Sequence, residues 1–256
     1  MSTISVRNPH SVLAALESRP EDVVSITIPS SVASGGDDAW KRVEALARTK
    51  RVRMSSAPSG GDARRAGKGG GRENPEGGRT SFAEAQIKAK EPVSAEELFT
   101  DARERKGGKG LWIALDTLQD PHNVGAIFRA AAFFGVEGIL LTSERSAPLS
   151  GTVYDVACGG VESVPHTLQV NLQRAFEFAK EAGLWILGTS EHAKESYLQI
   201  ERDRPWLLVL GNEEKGMRRL TEEACDVLCQ IPPQGAVTSL NVSVAAGIFI
   251  SRLTQT

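Results

Sequence analysis

Five short apolar runs between residues 111 and 231 constrain the fold more than any other feature of the chain. Each run is bounded by a turn, and helical patterns at residues 123–135 and 172–182 separate some of them. Short apolar strands that alternate with helices are typical of a parallel β-sheet. We therefore predict an α/β fold with these strands: residues 111–116, 136–142, 184–189, 207–210 and 227–231.

Polar loops follow three of these predicted strands. Asp116 ends the first strand, Gly211 and Glu213 follow the fourth, and the fifth leads through Ser239 and Asn241 into an alanine-rich helix. In open α/β sheets, ligands bind outside the carboxyl ends of the strands. The loops therefore predict one ligand-binding crevice, although each polar residue taken alone also fits a structural role as a helix cap.

Two residues of the first predicted helix have both a structural and a functional interpretation. Asn123 is either an N-cap or a site residue. Arg129 lies within the apolar run AIFRAAAFF, where an arginine usually pairs or extends its head to water. If Arg129 instead faces the crevice, it is suited to bind a phosphate or polarise a hydroxyl.

The first half of the chain predicts a separate, small α/β domain. Asn8 or Ser11 is a candidate N-cap for a helix that reaches Leu16, and residues 23–28 form a β-branched, strand-like run. Residues 55–79 carry eight glycines, two prolines and no large apolar side chain, so they predict a flexible insertion. The predicted domains are residues 1–92 with that insertion, a linker at residues 93–110, and a second domain at residues 111–256.

Charge and composition limit the class of protein. The chain is 40% hydrophobic and 24% charged, as in ordinary globular proteins. It has no apolar run long enough to cross a membrane and no secretory leader pattern, so we expect a cytoplasmic protein.

Residues 41–90 carry 13 Lys and Arg against 5 Asp and Glu. That positive segment fits an anionic polymer such as RNA, or equally a solvated loop.

Several familiar sites are excluded or disfavoured by the sequence. Three cysteines at positions 158, 225 and 229 do not make a disulfide framework or a metal-binding pattern, so no metal is predicted. The glycine-rich nucleotide fingerprints and the nucleophile elbow of hydrolases are absent. Ser239 has no histidine partner at a recognisable spacing, which argues against a hydrolase triad.

Three stretches together resemble a known enzyme family. DPHNVGAIFRAAAFFGV, LLVLGNEEKGM and IPPQGAVTSLNVSVAAGI resemble, in order and spacing, the three motifs of the SpoU (TrmH) family in the SPOUT superfamily. Its members are S-adenosylmethionine-dependent RNA ribose 2′-O-methyltransferases. The resemblance covers residues 111–253, and residues 145–165 and 216–221 resemble the bacterial 23S rRNA guanosine branch. Residues 7–28 are similar, more weakly, to that branch's ribosomal-protein-L30e-like RNA-binding domain.

The resemblance implies a fold and partners that the residue patterns do not give. It implies a C-terminal trefoil knot in the parallel-sheet domain, with knot loops that bind S-adenosylmethionine largely through backbone groups. A homodimer whose interface lies beside that site is also implied, with RNA as the substrate. In this reaction a ribose 2′-oxygen attacks the activated methyl group, and no metal is required.

The site residues follow by matching the motifs position by position. The implied catalytic residues are Asn123, Arg129, Glu213, Ser239 and Asn241. The cofactor-binding residues that we predict are Gly188, Thr189, Gly211, Ile231 and Leu240. We expect Arg129, beside a substrate phosphate, to assist removal of the 2′-proton, although an arginine is normally too basic to accept a proton itself. Glu213 would orient Arg129 or the nucleotide.

One position departs from the family pattern. Glu214 stands where the second motif usually has glycine. If the backbone there has a positive φ, a side chain costs roughly 1 kcal/mol. Glu214 also adds negative charge beside the cofactor loop.

Three functions remain open at this point. A methyltransferase acting on a 23S rRNA guanosine is the main hypothesis, with a tRNA ribose as the alternative substrate. A non-catalytic RNA-binding relative is the second, because Glu214 could weaken donor binding. An unrelated α/β enzyme with a nucleotide cofactor is the third, and the missing fingerprints count against it.

Overall fold

The computed structural model describes residues 3–29, 38–55 and 82–255, in two compact units, Met1–Ala89 and Lys90–Thr256. Apart from Ser55, the predicted insertion lies outside the described residues. The first unit contains β1 (Thr3–Val6), α1 (Pro9–Ser18), β2 (Val23–Thr27), α2 (Asp38–Thr49), β3 (Met54–Ser55) and β4 (Glu84–Lys88).

The strands of the first unit form a mixed sheet in the order β1-β4-β2-β3. Strand β4 is antiparallel to β1 and β2, whereas β3 is parallel to β2. Asn8 caps α1, because its side chain accepts a hydrogen bond of 2.9 Å from the backbone of His10. The predicted N-terminal helix, strand and cap are therefore confirmed, and α1 packs against α2.

The second unit holds the longer alternation of strands and helices. Its elements are α3 (Ala95–Leu98), β5 (Leu111–Leu115), α4 (Pro121–Phe134), β6 (Gly138–Thr142), α5 (Gly151–Ala157), α6 (Gly160–Ser163), β7 (His166–Gln169), α7 (Leu172–Glu181), β8 (Trp185–Thr189), β9 (Glu195–Ser196), β10 (Trp206–Leu210), α8 (Arg219–Glu223), β11 (Val227–Gln230) and α9 (Val242–Thr254).

All strands of this unit form one parallel sheet in the order β7-β6-β5-β10-β8-β11-β9. The predicted parallel α/β fold is thus confirmed. Trp112 and Ala114 of β5 share a hydrophobic cluster with Phe176 of α7, while Ile113 between them is equally buried. Because side chains alternate along a strand, β5 is buried on both faces of the sheet.

Residues 93–110 do not form the separate linker that we predicted. Leu98 and Phe99 pack in the same cluster as Trp112, and the Trp112 Nε1 donates a 3.0 Å hydrogen bond to the Leu98 carbonyl. The apolar side chains at 95, 98, 99 and 102 have helical spacing, which explains why this segment docks on the sheet. It belongs to the second unit.

Helix α4 begins two residues earlier than predicted. Asp120, not Asn123, is its N-cap and accepts a 2.8 Å hydrogen bond from the His122 backbone. Pro121 follows at the first helical position, where its missing N–H has no cost. Gly135 ends the helix at a φ of +68°, as predicted. The Asn123 side chain is therefore available for other contacts.

Helix α9 returns the chain to the middle of the sheet. It packs against α4 and also contacts β5, although β11 precedes it toward the other edge. Among the residues that the structure describes, no helix combines the length and apolarity that a membrane crossing requires.

Candidate functional site

A cavity of about 450 Å³ lies at the carboxyl ends of three neighbouring strands of the second unit. Thr189 ends β8, Gly211 follows β10, and Ile231 follows β11. Ser239 and Leu240, just before α9, complete the lining. This is the edge of the sheet where the polar loops predicted a crevice.

Three polar side chains from distant parts of the sequence form a hydrogen-bonded chain beside this cavity. The Asn123 Nδ2 donates to the Glu213 Oε1 at 2.7 Å, and the Asn241 Nδ2 donates to the Asn123 Oδ1 at 3.0 Å. Asn123 is only 7% exposed, so its amide is fixed at both ends. The arrangement leaves one carboxylate oxygen of Glu213 outside this chain of bonds.

Asn241 also caps α9, as its position in the sequence predicted. Its Oδ1 accepts hydrogen bonds from the backbone of Ser243 at 2.8 Å and of Val244 at 3.4 Å. Because its Nδ2 reaches Asn123 at the same time, the start of α9 is tied to α4. The polar chain therefore links both helices to the loop that carries Glu213.

The loop after β10 folds back tightly on itself. Asn212 and Gly216 exchange two backbone hydrogen bonds of 3.0 and 2.9 Å. The Asn212 Oδ1 accepts from the backbones of Glu214 and Lys215, and its Nδ2 donates to the Thr117 carbonyl. Gly216 supplies the positive φ, +66°, that closes the turn.

Glu214 does not carry the backbone strain that we considered possible. It is not among the residues with positive φ, so its side chain meets no penalty of that kind. It is exposed and lines the cavity. The departure from the family pattern at this position therefore changes the charge of the loop and leaves its backbone in an ordinary conformation.

A buried carboxylate anchors the far end of the same loop. Asp116 follows β5 and is fully buried. It accepts hydrogen bonds from the Arg218 Nε at 2.7 Å and from the Arg218 backbone at 3.0 Å. From the sequence, Asp116 was identifiable only as the end of a strand. A charged residue directly after a buried apolar strand was the signal for this partnership.

The charges around the cavity favour a cationic ligand. Glu191, Glu213, Glu214 and Glu222 line it, against Lys215 as the single lysine or arginine among its lining residues. Apolar contacts come from Met217 and other side chains, which are Leu210, Ile231, Leu240, Val242, Ala245 and Phe249. An apolar cavity with a few convergent polar groups is the usual form of a small-molecule site.

The structure brings most of the predicted cofactor-binding residues to this cavity. Thr189, Gly211, Ile231 and Leu240 all line it. Gly188 does not: it is buried, and a Cβ there would lie 2.7 Å from the Cys225 Sγ and the Leu228 Cδ2. The structure thus gives Gly188 a packing role, and its cofactor contact stays a prediction.

Arg129 lies outside this cavity, on the exposed surface of α4. Its side chain is exposed and lines a different, shallow cavity of about 330 Å³, together with Phe133 and three small or β-branched residues, which are Ala126, Ala130 and Val156. Glu213 accepts a hydrogen bond from Asn123, and it forms neither a hydrogen bond nor a salt bridge with Arg129. Asn123, Glu213 and Asn241 are therefore brought together, with Ser239 in the same cavity, and Arg129 is not part of this set.

The three cysteines are free. Two of them, Cys225 and Cys229, have thiols whose pKa is raised, which lowers their reactivity. Burial raises the pKa of the Cys225 thiol to about 12, and Asp226 adds to the effect. Burial likewise raises the pKa of Cys229 to about 12, with a further contribution from Glu195. Within the described ranges, no group of three or more His, Cys, Asp or Glu side chains is arranged to hold a metal ion.

We expect Cys225 and Cys229 to resist alkylation in the folded chain. The thiolate is the reactive form, so a pKa that rises from 9 to about 12 lowers its fraction at pH 8 by about 1000-fold. Iodoacetamide labelling followed by mass spectrometry, in a Cys158→Ser variant, tests this against urea-unfolded protein. Equal labelling rates in both states would contradict the assignment.

The sequence and the fold match the same group of proteins. A sequence model of the SpoU rRNA Methylase family matches residues 110–251. The chain is 44% identical over 158 residues to the 23S rRNA (guanosine-2′-O-)-methyltransferase RlmB of Pseudomonas aeruginosa, covering 62% of this chain and 64% of that protein. It is 47% identical over 140 residues to the RlmB of Nitrosomonas europaea, covering 55% and 54%. The chain thus spans less than two thirds of either relative in these matches.

The fold also resembles a solved structure over almost its whole length. The SpoU methyltransferase AviRb from Streptomyces viridochromogenes, in complex with the cofactor AdoMet, superposes with a TM-score of 0.74. The match covers 99% of this chain and 89% of that chain at 19% identity. At this identity the likeness establishes the fold alone.

Proposed function

The chain belongs to the SpoU rRNA Methylase family, and we propose from this that it transfers a methyl group from S-adenosylmethionine to a ribose 2′-hydroxyl of RNA. The observation that carries the proposal is the hydrogen-bonded set of Asn123, Glu213 and Asn241 beside the cavity at the strand ends. The RlmB relatives favour a guanosine of 23S rRNA as the target.

The cavity suits S-adenosylmethionine in size and charge. Its volume of about 450 Å³ lies in the range of small-molecule sites, and its floor is largely apolar. The sulfonium and amino groups of the donor are positive, and four glutamates surround the cavity. Thr189, Gly211, Ile231 and Leu240 would hold the donor, and when bound it supplies an electrophilic methyl group that needs no metal.

The chain's own residues then position the ribose. The Asn123 amide is fixed by Glu213 and Asn241, so it offers a rigid edge beside the cavity. Ser239 is exposed in the same lining and is suited to bind a ribose hydroxyl. Alignment of oxygen, carbon and sulfur contributes several kcal/mol to such a transfer.

Arg129 has a different place in this scheme. It lies outside the cavity of its own chain, on an exposed helix surface. We assign it to a substrate phosphate, through which it assists removal of the 2′-proton. Its guanidinium stays charged and donates hydrogen bonds, which suits a phosphate and not a free proton acceptor.

The oligomeric state is also proposed from the family membership. We propose a homodimer whose interface lies beside the cavity. Leu240 lines the cavity and is more than half exposed, as are Leu198, Val237 and Val244. Exposed apolar patches of this kind are typical of interaction surfaces.

The two finer features of the fold are also part of the proposal. A C-terminal trefoil knot is supported by the position of β10 between β5 and β8, and by the return of α9 onto α4. The first unit is proposed to be an L30e-like RNA-binding domain, supported by its mixed α/β sheet and by the positive charge of residues 41–90. We also propose a cytoplasmic location, because ribosomal RNA is the proposed substrate.

The test is methyl transfer to defined RNAs with an Arg129→Ala variant alongside. The wild-type chain should methylate a 23S rRNA guanosine, located by mapping 2′-O-methyl groups. The variant should transfer methyl groups about 100-fold more slowly, since assisted proton removal is worth at least that much. Its donor affinity should be unchanged, because Arg129 does not line the donor cavity.

An Arg219→Ala variant is the matched control for the loss of one exposed arginine. Arg219 pairs with Glu223 on the surface of α8. Normal turnover in the Arg129→Ala protein with normal donor binding would remove Arg129 from the mechanism. Methylation of a tRNA instead would keep the chemistry and change the target. Donor binding without any methyl transfer would support a non-catalytic relative.

A further inference from the structure

A second cavity lies at the opposite edge of the parallel sheet, about 360 Å³ in volume. Leu111 begins β5, Phe134 ends α4, and Leu253 is near the end of α9. These three side chains form an apolar floor. Because all strands of the sheet are parallel, this edge is separate from the one where the donor cavity lies.

Among the residues that the structure describes, three basic side chains line this cavity and no acidic one does; the three are Lys106, Lys109 and Arg202. Within the part of the chain that the structure describes, none of the three forms a salt bridge. The nearby acid Asp203 is already bound by Arg204 at 2.7 Å, and Lys109 only adds to the field on it. A positive rim around an apolar floor therefore remains.

Helix ends account for only part of this charge. Helices α4 and α9 both end at the cavity, and each C-terminus carries about half a negative charge. The Lys106 ammonium group lies beside the C-terminus of α4, because a Cβ on Gly135 would lie 3.4 Å from the Lys106 Nζ. Two such half-charges offset roughly one of the three cations. The positive charges of Lys109 and Arg202 are therefore available to bind an anion.

We propose that this cavity binds one nucleotide unit, with its phosphate on Lys109 and Arg202 and its base on the Phe134 floor. Arginine and lysine are the usual phosphate ligands, and an aromatic ring beside them provides a stacking surface for a base. A volume of about 360 Å³ is suited to one nucleotide. The unit is either part of a bound RNA or a free mononucleotide.

The first experiment measures binding of uridine 5′-monophosphate by calorimetry, with S-adenosylhomocysteine present to fill the donor cavity. Uridine and inorganic phosphate, the two parts of the mononucleotide, are the comparison ligands, and a short fatty acid is measured beside them. We expect the mononucleotide to bind about tenfold more tightly than either part, since both halves of the cavity contribute. Equal affinity for inorganic phosphate, or tighter binding of a short fatty acid, would overturn the proposal.

Two variants separate a built site from general attraction between charges. Lys109→Ala with Arg202→Ala removes the phosphate contacts, whereas Thr254→Trp fills the cavity and leaves every charge in place. Each should weaken mononucleotide binding about tenfold or more. Arg174→Ala with Arg219→Ala, on α7 and α8 of the same unit, is the charge-matched control and should bind as wild type, because both arginines are exposed and neither lines this cavity. Unchanged binding by Thr254→Trp would also overturn the proposal.

A second arm identifies the source of the nucleotide, and this arm alone rests on the proposed function. The same variants are tested for binding of a 23S rRNA fragment, with donor affinity as the internal check. Weaker RNA binding at unchanged donor affinity assigns the cavity to the RNA. Unchanged RNA binding with lost mononucleotide binding assigns it to a free nucleotide. Because the first arm needs no methyl transfer, a failed methyltransferase assay leaves that arm's result interpretable.

Discussion

Replacement of Gly211 by alanine is expected to weaken donor binding on the order of 100-fold and to destabilise the second unit. A Cβ at this position would overlap the backbone of Gly216 and Met217, where the loop folds back over the end of β10. Backbone cannot rotate away as a flexible side chain can. The loop must therefore shift, and overpacking of this kind costs about 2 kcal/mol or more. We expect donor affinity to fall on the order of 100-fold, because the shift moves cavity walls by a fraction of an ångström or more.

Two other glycines provide matched controls: Gly216 lines the same cavity, and Gly235 lies in the loop between Ile231 and Thr238, which both line it. Gly235 has open space around a Cβ and no positive φ, so Gly235→Ala should bind the donor as wild type does. Gly216 also has open space but a φ of +66°, so Gly216→Ala should cost about 1 kcal/mol through backbone strain alone. Calorimetric donor titration of the three variants checks this order. Normal donor binding by Gly211→Ala would show that the loop is not a rigid wall of the site.

The strands and the edge of the sheet that holds the site were predictable from local pattern. The apolar runs placed β5, β6, β8, β10 and β11 to within two residues. Their order in the sheet was not predictable. Strand β10 lies between β5 and β8 in the sheet, although it follows both of them in the sequence. Nothing in a parallel strand's own residues specifies its neighbour. The polar segment that includes β7 lacked a period, and it was not predicted as a strand.

The site illustrates the same limit at the level of side chains. Asn123 was a candidate both as a cap and as a site residue, and Pro121 was the local signal that the cap is Asp120. Its partners Glu213 and Asn241 are 90 and 118 residues away. Motif resemblance identified all three, but only the fold shows that they bond to one another. The resemblance also grouped Arg129 with them, and the single chain places it on another surface.

Removal of the Arg218 side chain is expected to lower the free energy of unfolding of the second unit by about 3 kcal/mol. The arginine itself is partly exposed, with 46% of its side chain open, but its partner Asp116 is fully buried. In Arg218→Ala the carboxylate keeps the backbone hydrogen bond at 3.0 Å and loses its salt bridge to the Arg218 side chain. A buried charge left without its partner is the costly outcome. The neighbouring Arg219, which pairs with exposed Glu223, should cost no more than about 0.5 kcal/mol when changed to alanine.

Asp116→Asn tests whether the cost comes from the stranded charge. The asparagine removes the charge and still accepts a hydrogen bond, so alone it should cost about 1 kcal/mol. Combined with Arg218→Ala it should recover roughly 2 kcal/mol relative to Arg218→Ala, because no buried carboxylate is left. Urea unfolding followed by tryptophan fluorescence in a Trp40→Phe background reports on the second unit, since the other three tryptophans lie there. Additive effects in the double variant would mean that the pair stabilises the loop by packing and that the charge of Asp116 is tolerated without Arg218.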